Sequence, residues 1–509
     1  MSNAVVDSLV SLTPVEELSL APEEEQRYQE LAKKLAEENP LMGKDQEQYK
    51  TLLPSEIPTG PVWKLLFDDF SAIAHLQHVL GLDYYTARAF ARASTDDIVL
   101  GTFGEVPGYI DYIEQYLGLG RPIYTEIKAS KEHLPYGICD GYLALEENQD
   151  KLIQQLIQTS KSEEQTLWIH PFLGHKSVWQ MAQHIEKAIP NPVKVLAPPP
   201  TITTETNNKV WFLQVVREVL GEEATVPTLH GTHSEQVTDK LIKMLQDHPT
   251  VALKLADSAS GMGTGIFERD ILKKRSPEEL HEDIKEWLKQ KDWDLHTSLP
   301  ISVEAWKDDV LASPSTQLWL PPVDKGLPLV EGVFDQQFYP SKERVFLGSV
   351  SSTLPERFQT ELKESSLRLA RVFQHLGYIG RCSFDTILTG PSIEEAKIRF
   401  VECNGRWGGT STPMSLINRL FGDFRKVSYQ ASDFDSPAFK GMLFSEFAEL
   451  FKDILYNHKT KEGWAILYNV GCLEPTGKLD VITLGKDHAE ATARQKLFRE
   501  LAKEKEKTL

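Results

Sequence analysis

Ile398-Arg-Phe-Val-Glu402-Cys-Asn404-Gly-Arg406 alternates apolar and polar side chains and stops at a glycine. The period of two predicts a strand with Ile398, Phe400, Glu402 and Asn404 on one face. Cys403 then points the other way, which makes it a packed residue rather than a nucleophile. Upstream, Gly380-Arg-Cys-Ser-Phe-Asp385-Thr-Ile-Leu reads as a second strand, and Thr389-Gly390-Pro391 as the turn between the two. A hairpin of this kind sets Asp385 opposite Glu402 and Asn404. Such an oxygen cage suits Mg²⁺ shared with phosphate oxygens. Arg406 falls at the strand end, where a planar fork suits a carboxylate or phosphoryl group. Gly408, Gly409 and Thr410 follow it. The competing reading is a solvated strand tip, and the apolar residues preceding Glu402 argue against it.

Two further clusters lie upstream. Thr250-Val-Ala-Leu-Lys254-Leu-Ala-Asp257 predicts a strand with Val251, Leu253 and Leu255 on one face. Lys254 stands on the other, between two alanines that leave room beside its amine. Ser258, Ser260, Gly261, Gly263, Thr264 and Gly265 come next, in a loop whose backbone N–H groups can approach phosphate oxygens closely. By itself the loop is equally a flexible hairpin turn. It lacks the GxxxxGK[ST] pattern of a phosphate-binding loop, and its glycine spacing is not that of a dinucleotide fingerprint. The third cluster, Asn207-Asn-Lys209-Val-Trp-Phe, opens a helix running to about Leu220. Alone, Lys209 reads as a surface lysine.

In this order the clusters resemble the ATP-grasp superfamily over about residues 205–425. The resemblance maps onto Lys209, Lys254, the glycine loop, Glu304-Ala305-Trp306 as a hinge strand, Asp385, and Glu402-x-Asn404-x-Arg406. Gly332-Val-Phe-Asp-Gln336 and the α/β segment ahead of it look like the peptide-ligase branch, which carries a pre-ATP-grasp domain. The resemblance implies an α/β (α+β) fold, with a pre-ATP-grasp α/β domain followed by a two-lobed ATP-grasp domain and a β-rich lid. It implies an ATP-dependent carboxylate–amine ligase that forms an acyl phosphate and releases ADP, with ATP and Mg²⁺ (or Mn²⁺) as cofactors. Lys209, Lys254, the loop and the hinge would hold ATP. Asp385, Glu402 and Asn404 would hold metal, and Arg406, Gly408, Gly409 and Thr410 the substrate, with Arg406 and Lys254 serving catalysis. Its partners would be a small carboxylic acid and an amine such as an amino acid or peptide. Asp308 and Asp309 are candidate ribose contacts, although Ala312-Ser-Pro-Ser-Thr316 reads as an inserted loop that disturbs their register. Two other classes compete: a nucleotide-binding interaction protein that keeps the fold, and a kinase-like phosphotransferase.

The rest of the 509 residues supplies the frame. Residues 1–60 read as a helical arm. Within it, Thr13-Pro-Val-Glu16 is a capping box, and a helix over Pro22 to Asn39 carries Tyr28, Leu31 and Leu35 on one narrow face that needs a neighbour. Residues 61–200 alternate strands and helices, and Pro198-Pro-Pro200 reads as a linker. Residues 201–430 are the catalytic part, with a lid over about 240–302, and 431–509 form a C-terminal α+β segment. The net charge of −19 argues against nucleic acid as a partner. Four cysteines without a CxxC pair exclude a disulfide framework. With no apolar run of roughly 18 residues and no basic leader, the expected compartment is the cytoplasm, without a membrane partner; a homodimer is compatible with the resemblance. His170 and His175 read as a loop residue and a helix cap rather than a metal pair.

Overall fold

The computed structural model describes residues 18–507 except 59, 74–80, 135, 257–262, 291–299 and 340–344. Ser258, Ser260, Gly261 and the capping box at Thr13 therefore lie outside the described residues. The fold is mixed α/β, and the described strands form three sheets.

The first sheet is parallel, in the order Ile123–Glu126, Ile98–Gly101, Trp63–Phe67, Leu167–Pro171, Val193–Val195. Its strands are short, and the three central ones are wholly buried, as parallel strands covered on both faces must be. Helices Ile138–Ala144, Glu146–Thr159 and Lys176–Ala188 contribute Ile138, Leu152, Trp179 and Ile185 to its core. Pro200 does not extend a linker. It opens the helix Pro200–Asn207, because its fixed φ suits the first helical turn and that turn needs no N–H there.

The second sheet is antiparallel and has nine strands. At one end of it, Gly380–Thr389 pairs with Pro314–Leu320 on one side and Lys397–Asn404 on the other. Residues 312–316 are not an inserted loop: Pro314 is the first residue of a strand, a place where its missing N–H costs no ladder bond. Strand Phe346–Ser351 pairs with Ser428–Asp435, so residues after 430 continue the same sheet. At Gly348 an added Cβ would strike the Ala431 carbonyl. Helix Pro22–Glu38 buries Tyr28, Ala32 and Leu35 with Phe358, Leu362 and Leu369 of helix Glu356–His375. Arg368 and Arg371 bond Glu24 and Glu25 across that contact.

The third sheet, in the order Thr228–Gly231, Ile301–Ala305, Thr250–Leu255, Thr264–Glu268, is small and antiparallel. It has its own core, in which Val251, Leu253 and Leu255 meet Leu241 of helix Ser234–Asp247 and Leu280, Ile284 and Leu288 of helix Pro277–Gln290. Among the described residues no helix is long and apolar enough to cross a membrane.

Candidate functional site

Lys254 and Glu304 meet between neighbouring strands of the small sheet. Ala252 lies directly opposite Glu304, and Lys254 opposite Ser302, so lysine and glutamate share a face on the diagonal. Lys254 Nζ is 2.5 Å from Glu304 Oε2, and Ser302 Oγ donates to Glu304 Oε1 at 2.6 Å. Glu304 is only 2% exposed, and this pair of donors is what makes a buried carboxylate tenable. The N–H groups of Ala305 and Trp306 donate to the carbonyls of Pro227 and Thr250. Thr264 stands opposite Lys254 and Gly265 opposite Leu253. Gly265 lies against Trp287, where an added Cβ would come within 2.8 Å of the indole.

Lys209 is the first residue of the helix Lys209–Leu220. The Asn208 side chain caps that helix through the N–H groups of Val210 and Trp211, and Lys209 N–H donates to Ala256 O at 3.0 Å. Helix start and small sheet are thus tied at the residue that matters. The Lys209 amine reaches Glu402, Nζ to Oε2, at 3.1 Å.

The hairpin places Asp385 directly opposite Glu402, and Ser383 opposite Asn404. One prediction from alternation fails here. The register slips by one residue at Val401, so Phe400 pairs with Thr386 while Glu402 pairs with Asp385. An extra residue in one strand reverses the facing of everything beyond it. Ile398 and Phe400 therefore share the core with Cys403, and Glu402 and Asn404 stand on the other face. Cys403 is packed, as its alternation with Glu402 requires.

Asp385 is pushed up to about 6 by burial and by the Glu402 carboxylate across from it, against the hydrogen bonds of Ser315, Gln336 and Asn404. The last is Asn404 Nδ2 to Asp385 Oδ2 at 3.0 Å. Burial raises Glu402 too, but the amine of Lys209 outweighs it and holds the carboxyl below its usual range. Two carboxylates side by side cannot both ionise without a cation between them. Lys209, with Arg406 and Lys254 beyond it, and the donors Ser315, Gln336 and Asn404 are the compensation given by the described residues.

Arg406 is held from behind. Asn207 Oδ1 accepts from Arg406 Nη1 and from the Gly405 N–H at 3.1 Å, and Asn207 Nδ2 is anchored on Thr203 O at 2.7 Å. Gly405 is needed there, because a Cβ would fall 2.5 Å from Thr206 Oγ1. Gly408 N–H donates to Ser411 Oγ at the start of the helix Ser411–Phe421, with Gly409 exposed and Thr410 buried. Ser302, Ser315, Gln336 and Asn207 are partners the sequence did not assign. Asn207, Ser315 and Gln336 stood inside stretches quoted above, and Ser302 did not.

His170 is the penultimate residue of the strand Leu167–Pro171, and His175 is the N-cap residue of Lys176–Ala188. They do not face one another as a metal pair: His175 turns to Asp69, 3.5 Å away, and His170 to Trp407.

No protein-family model matches the sequence, and no curated protein matches it. Solved structures do. A biotin carboxylase from Campylobacter jejuni, solved as a β-γ-ATP complex, is 12% identical, and the match covers 86% of this chain and 90% of that one with a TM-score of 0.50. An N5-carboxyaminoimidazole synthetase from Staphylococcus aureus is 11% identical over 89% and 99%, with a TM-score of 0.48. D-alanyl-alanine synthetase A from Vibrio cholerae is 13% identical over 72% and 96%, with a TM-score of 0.42. The chain shares the fold of that biotin carboxylase.

Proposed function

We propose that the protein is an ATP-dependent carboxylate–amine ligase that activates an acid as its acyl phosphate, releases ADP, and joins the acid to an amine. The observation that carries this reading is the meeting of Lys209, Asp385 and Glu402 at one point, with Arg406 two residues beyond Asn404. A nucleotide-binding protein without chemistry has no use for an arginine fixed at the far end of the metal-side strand. The ATP-grasp fold and the β-γ-ATP ligand of the biotin carboxylase neighbour support ATP as the nucleotide.

The donor set fits a hard cation. Asp385, Glu402 and the Asn404 amide are oxygen ligands, and the strained pair of carboxylates is relieved by a divalent charge. Mg²⁺ (or Mn²⁺), when bound, supplies charge neutralisation between phosphate oxygens. Lys209 and Lys254 would add the remaining positive charge, each releasing its carboxylate partner to do so. Gly263, Thr264 and Gly265, with Ser258, Ser260 and Gly261, would cover the phosphates and keep water from an acyl phosphate. Glu304 to Trp306 would meet the base. Arg406, with Gly408, Gly409 and Thr410 behind it, would orient the acid and balance charge as the tetrahedral centre forms. The chain divides as a helical arm over 1–60, a pre-ATP-grasp domain over 61–200 and a catalytic domain over 201–430 with a lid over about 240–302, and the segment 431–509 continues that domain's large sheet. It works as a cytoplasmic enzyme, as a monomer or homodimer.

The test is ADP release with Mg²⁺, ATP and pooled acids and amines, followed by mass spectrometry of products. An amide whose formation needs both pools is the expected result. ADP release without an amine, with a stable phosphorylated product, would establish a kinase instead. Tight ATP binding with no turnover across the pools would establish a binding protein.

A further inference from the structure

Outside the site above, the largest set of unsatisfied buried polar atoms gathers around one tryptophan. Arg88 and Arg92 lie on the 3₁₀ segment Leu82–Arg92 and converge on Asp68, just beyond the strand Trp63–Phe67. Asp68 Oδ2 accepts from Arg88 Nε at 3.0 Å, and Asp68 Oδ1 from Arg92 Nη2. One carboxylate is thereby shared by two guanidinium groups. Arg88 Nη2 and Arg92 Nε and Nη1 are sealed from solvent and meet no acceptor among the described residues. Arg92 itself is only 4% exposed.

Trp407 closes this cluster. The Arg92 guanidinium lies 4.6 Å from its ring centroid, that of Arg381 4.8 Å, and the His170 ring 5.2 Å. Arg381 pairs with Glu331, yet its Nε and both His170 ring nitrogens also lack partners. Three guanidinium groups face two carboxylates, Asp68 and Glu331. The surroundings are apolar: Phe70, Phe172, Leu173 and Tyr136 pack with Trp407 in one cluster, and Arg88 stacks 4.7 Å from the Phe172 ring. Two nearby groups do not cancel the excess. Burial and Asp433 opposite it raise Asp480 well above the usual carboxylate range, which disfavours its charge. Burial and the cations Arg92, Lys64 and Arg381 hold His170 neutral.

We infer that this cluster, between the C-terminal edge of the parallel sheet and Trp407, binds the carboxylate of an apolar organic acid, held by Arg88 and Arg92. Strand ends of a parallel sheet are where such folds take ligands. A planar fork suits a carboxylate, and the aromatic walls suit a carbon skeleton rather than a free inorganic anion. Its role rests on the ligase reading: Trp407, which closes this cluster, follows Arg406 in the chain, so the cluster adjoins the residue that would orient the reacting group.

Occupancy is tested without ATP, so it can fail while the ligase reading stands, and the reverse. Benzoate is titrated into the full-length chain, and tryptophan fluorescence and melting temperature are read. Benzamide and inorganic phosphate serve as matched controls. Benzoate should change the fluorescence saturably and raise the melting temperature, and benzamide should do neither. Arg88→Gln and Arg92→Gln should each weaken the benzoate response at least about tenfold, a loss of one charge-assisted contact. If these variants do not fold, the wild-type contrast decides alone. No response to benzoate, an equal response to benzamide, a preference for phosphate, or a response unchanged in folded variants would each overturn the site.

Discussion

Lys209 Nζ lies 3.1 Å from Glu402 Oε2, joining the first turn of a helix to the strand that also carries Asn404 and leads to Arg406. Lys254 makes the parallel arrangement with Glu304 in the small sheet. Each lysine would exchange a carboxylate for phosphate when nucleotide enters, and both contacts are charge-assisted. Lys209→Ala and Lys254→Ala should each weaken ATP binding at least about tenfold in calorimetric titration. The two variants should differ in stability. Lys254→Ala strands Glu304, which is buried, and should cost about 3–5 kcal/mol in denaturant unfolding. Lys209→Ala leaves Glu402 part-exposed and should cost much less. Unchanged ATP affinity in Lys254→Ala would remove that lysine from the site.

Asp385 carries a pH signature. Its folded value, about 6, lies above the ordinary 3.8, because burial and Glu402 disfavour its charge. A carboxyl raised on folding stabilises the protein below its unfolded value, and that stability is lost as pH rises through the folded value. The difference in melting temperature, Asp385→Asn minus wild type, should therefore climb between about pH 4 and pH 6.5 and then level off. Saturating Mg²⁺-ATP should shrink the difference at neutral pH. A flat difference across that window would mean that the two carboxylates do not interact.

Arg406→Lys keeps a charge and loses the fork. Acid-dependent ADP release should fall about 10²–10³-fold while ATP affinity is unchanged. Asn207→Ala should give a weaker version of the same pattern, because it frees the guanidinium without removing it. Gly405→Ala should resemble Asn207→Ala, since its Cβ presses on Thr206 and Asn207. Full turnover of Arg406→Lys at low acid concentration would show that the acid is held elsewhere.

The small sheet should close as a unit. Its strands and the helices Ser234–Asp247 and Pro277–Gln290 bury Val251, Leu253, Leu280 and Ile284 against one another. A body with its own core can swing without unfolding. Amide exchange over residues 228–305 should slow on adding Mg²⁺-ATP, most strongly near Lys254 and Gly265. Equal exchange with and without nucleotide would rule out closure.

Much of the site could be read from local pattern, because it is built from strand alternation. Val251, Leu253 and Leu255 predicted their own core and so set Lys254 facing the other way. Asp385 and Glu402 were predicted as partners because a short turn leaves few registers open. The bulge at Val401 was not legible. A period of two looks the same on either side of a slipped residue, and only pairing with Thr386 and Asp385 reveals the slip. The strand at Pro314 was masked by Ser-Pro-Ser, which reads as a turn until its partners Phe384 and Asp385 are known. The cluster at Trp407 was beyond local reading altogether, since Arg92 and Trp407 are 315 positions apart.

The ladder between Phe346–Ser351 and Ser428–Asp435 bears on how this chain can be divided. A polypeptide ending near residue 430 would retain every lysine and carboxylate of the proposed ATP site. It would also present the row of backbone donors and acceptors on Phe346–Ser351 as a raw edge, without the strand that seals it. Open edges recruit other chains. Such a fragment should precipitate or form β-rich assemblies instead of standing alone as a minimal enzyme. Gene rearrangements that separate the two segments should be lost for the same reason, so the C-terminal strands and the metal-side hairpin are bound to be inherited together.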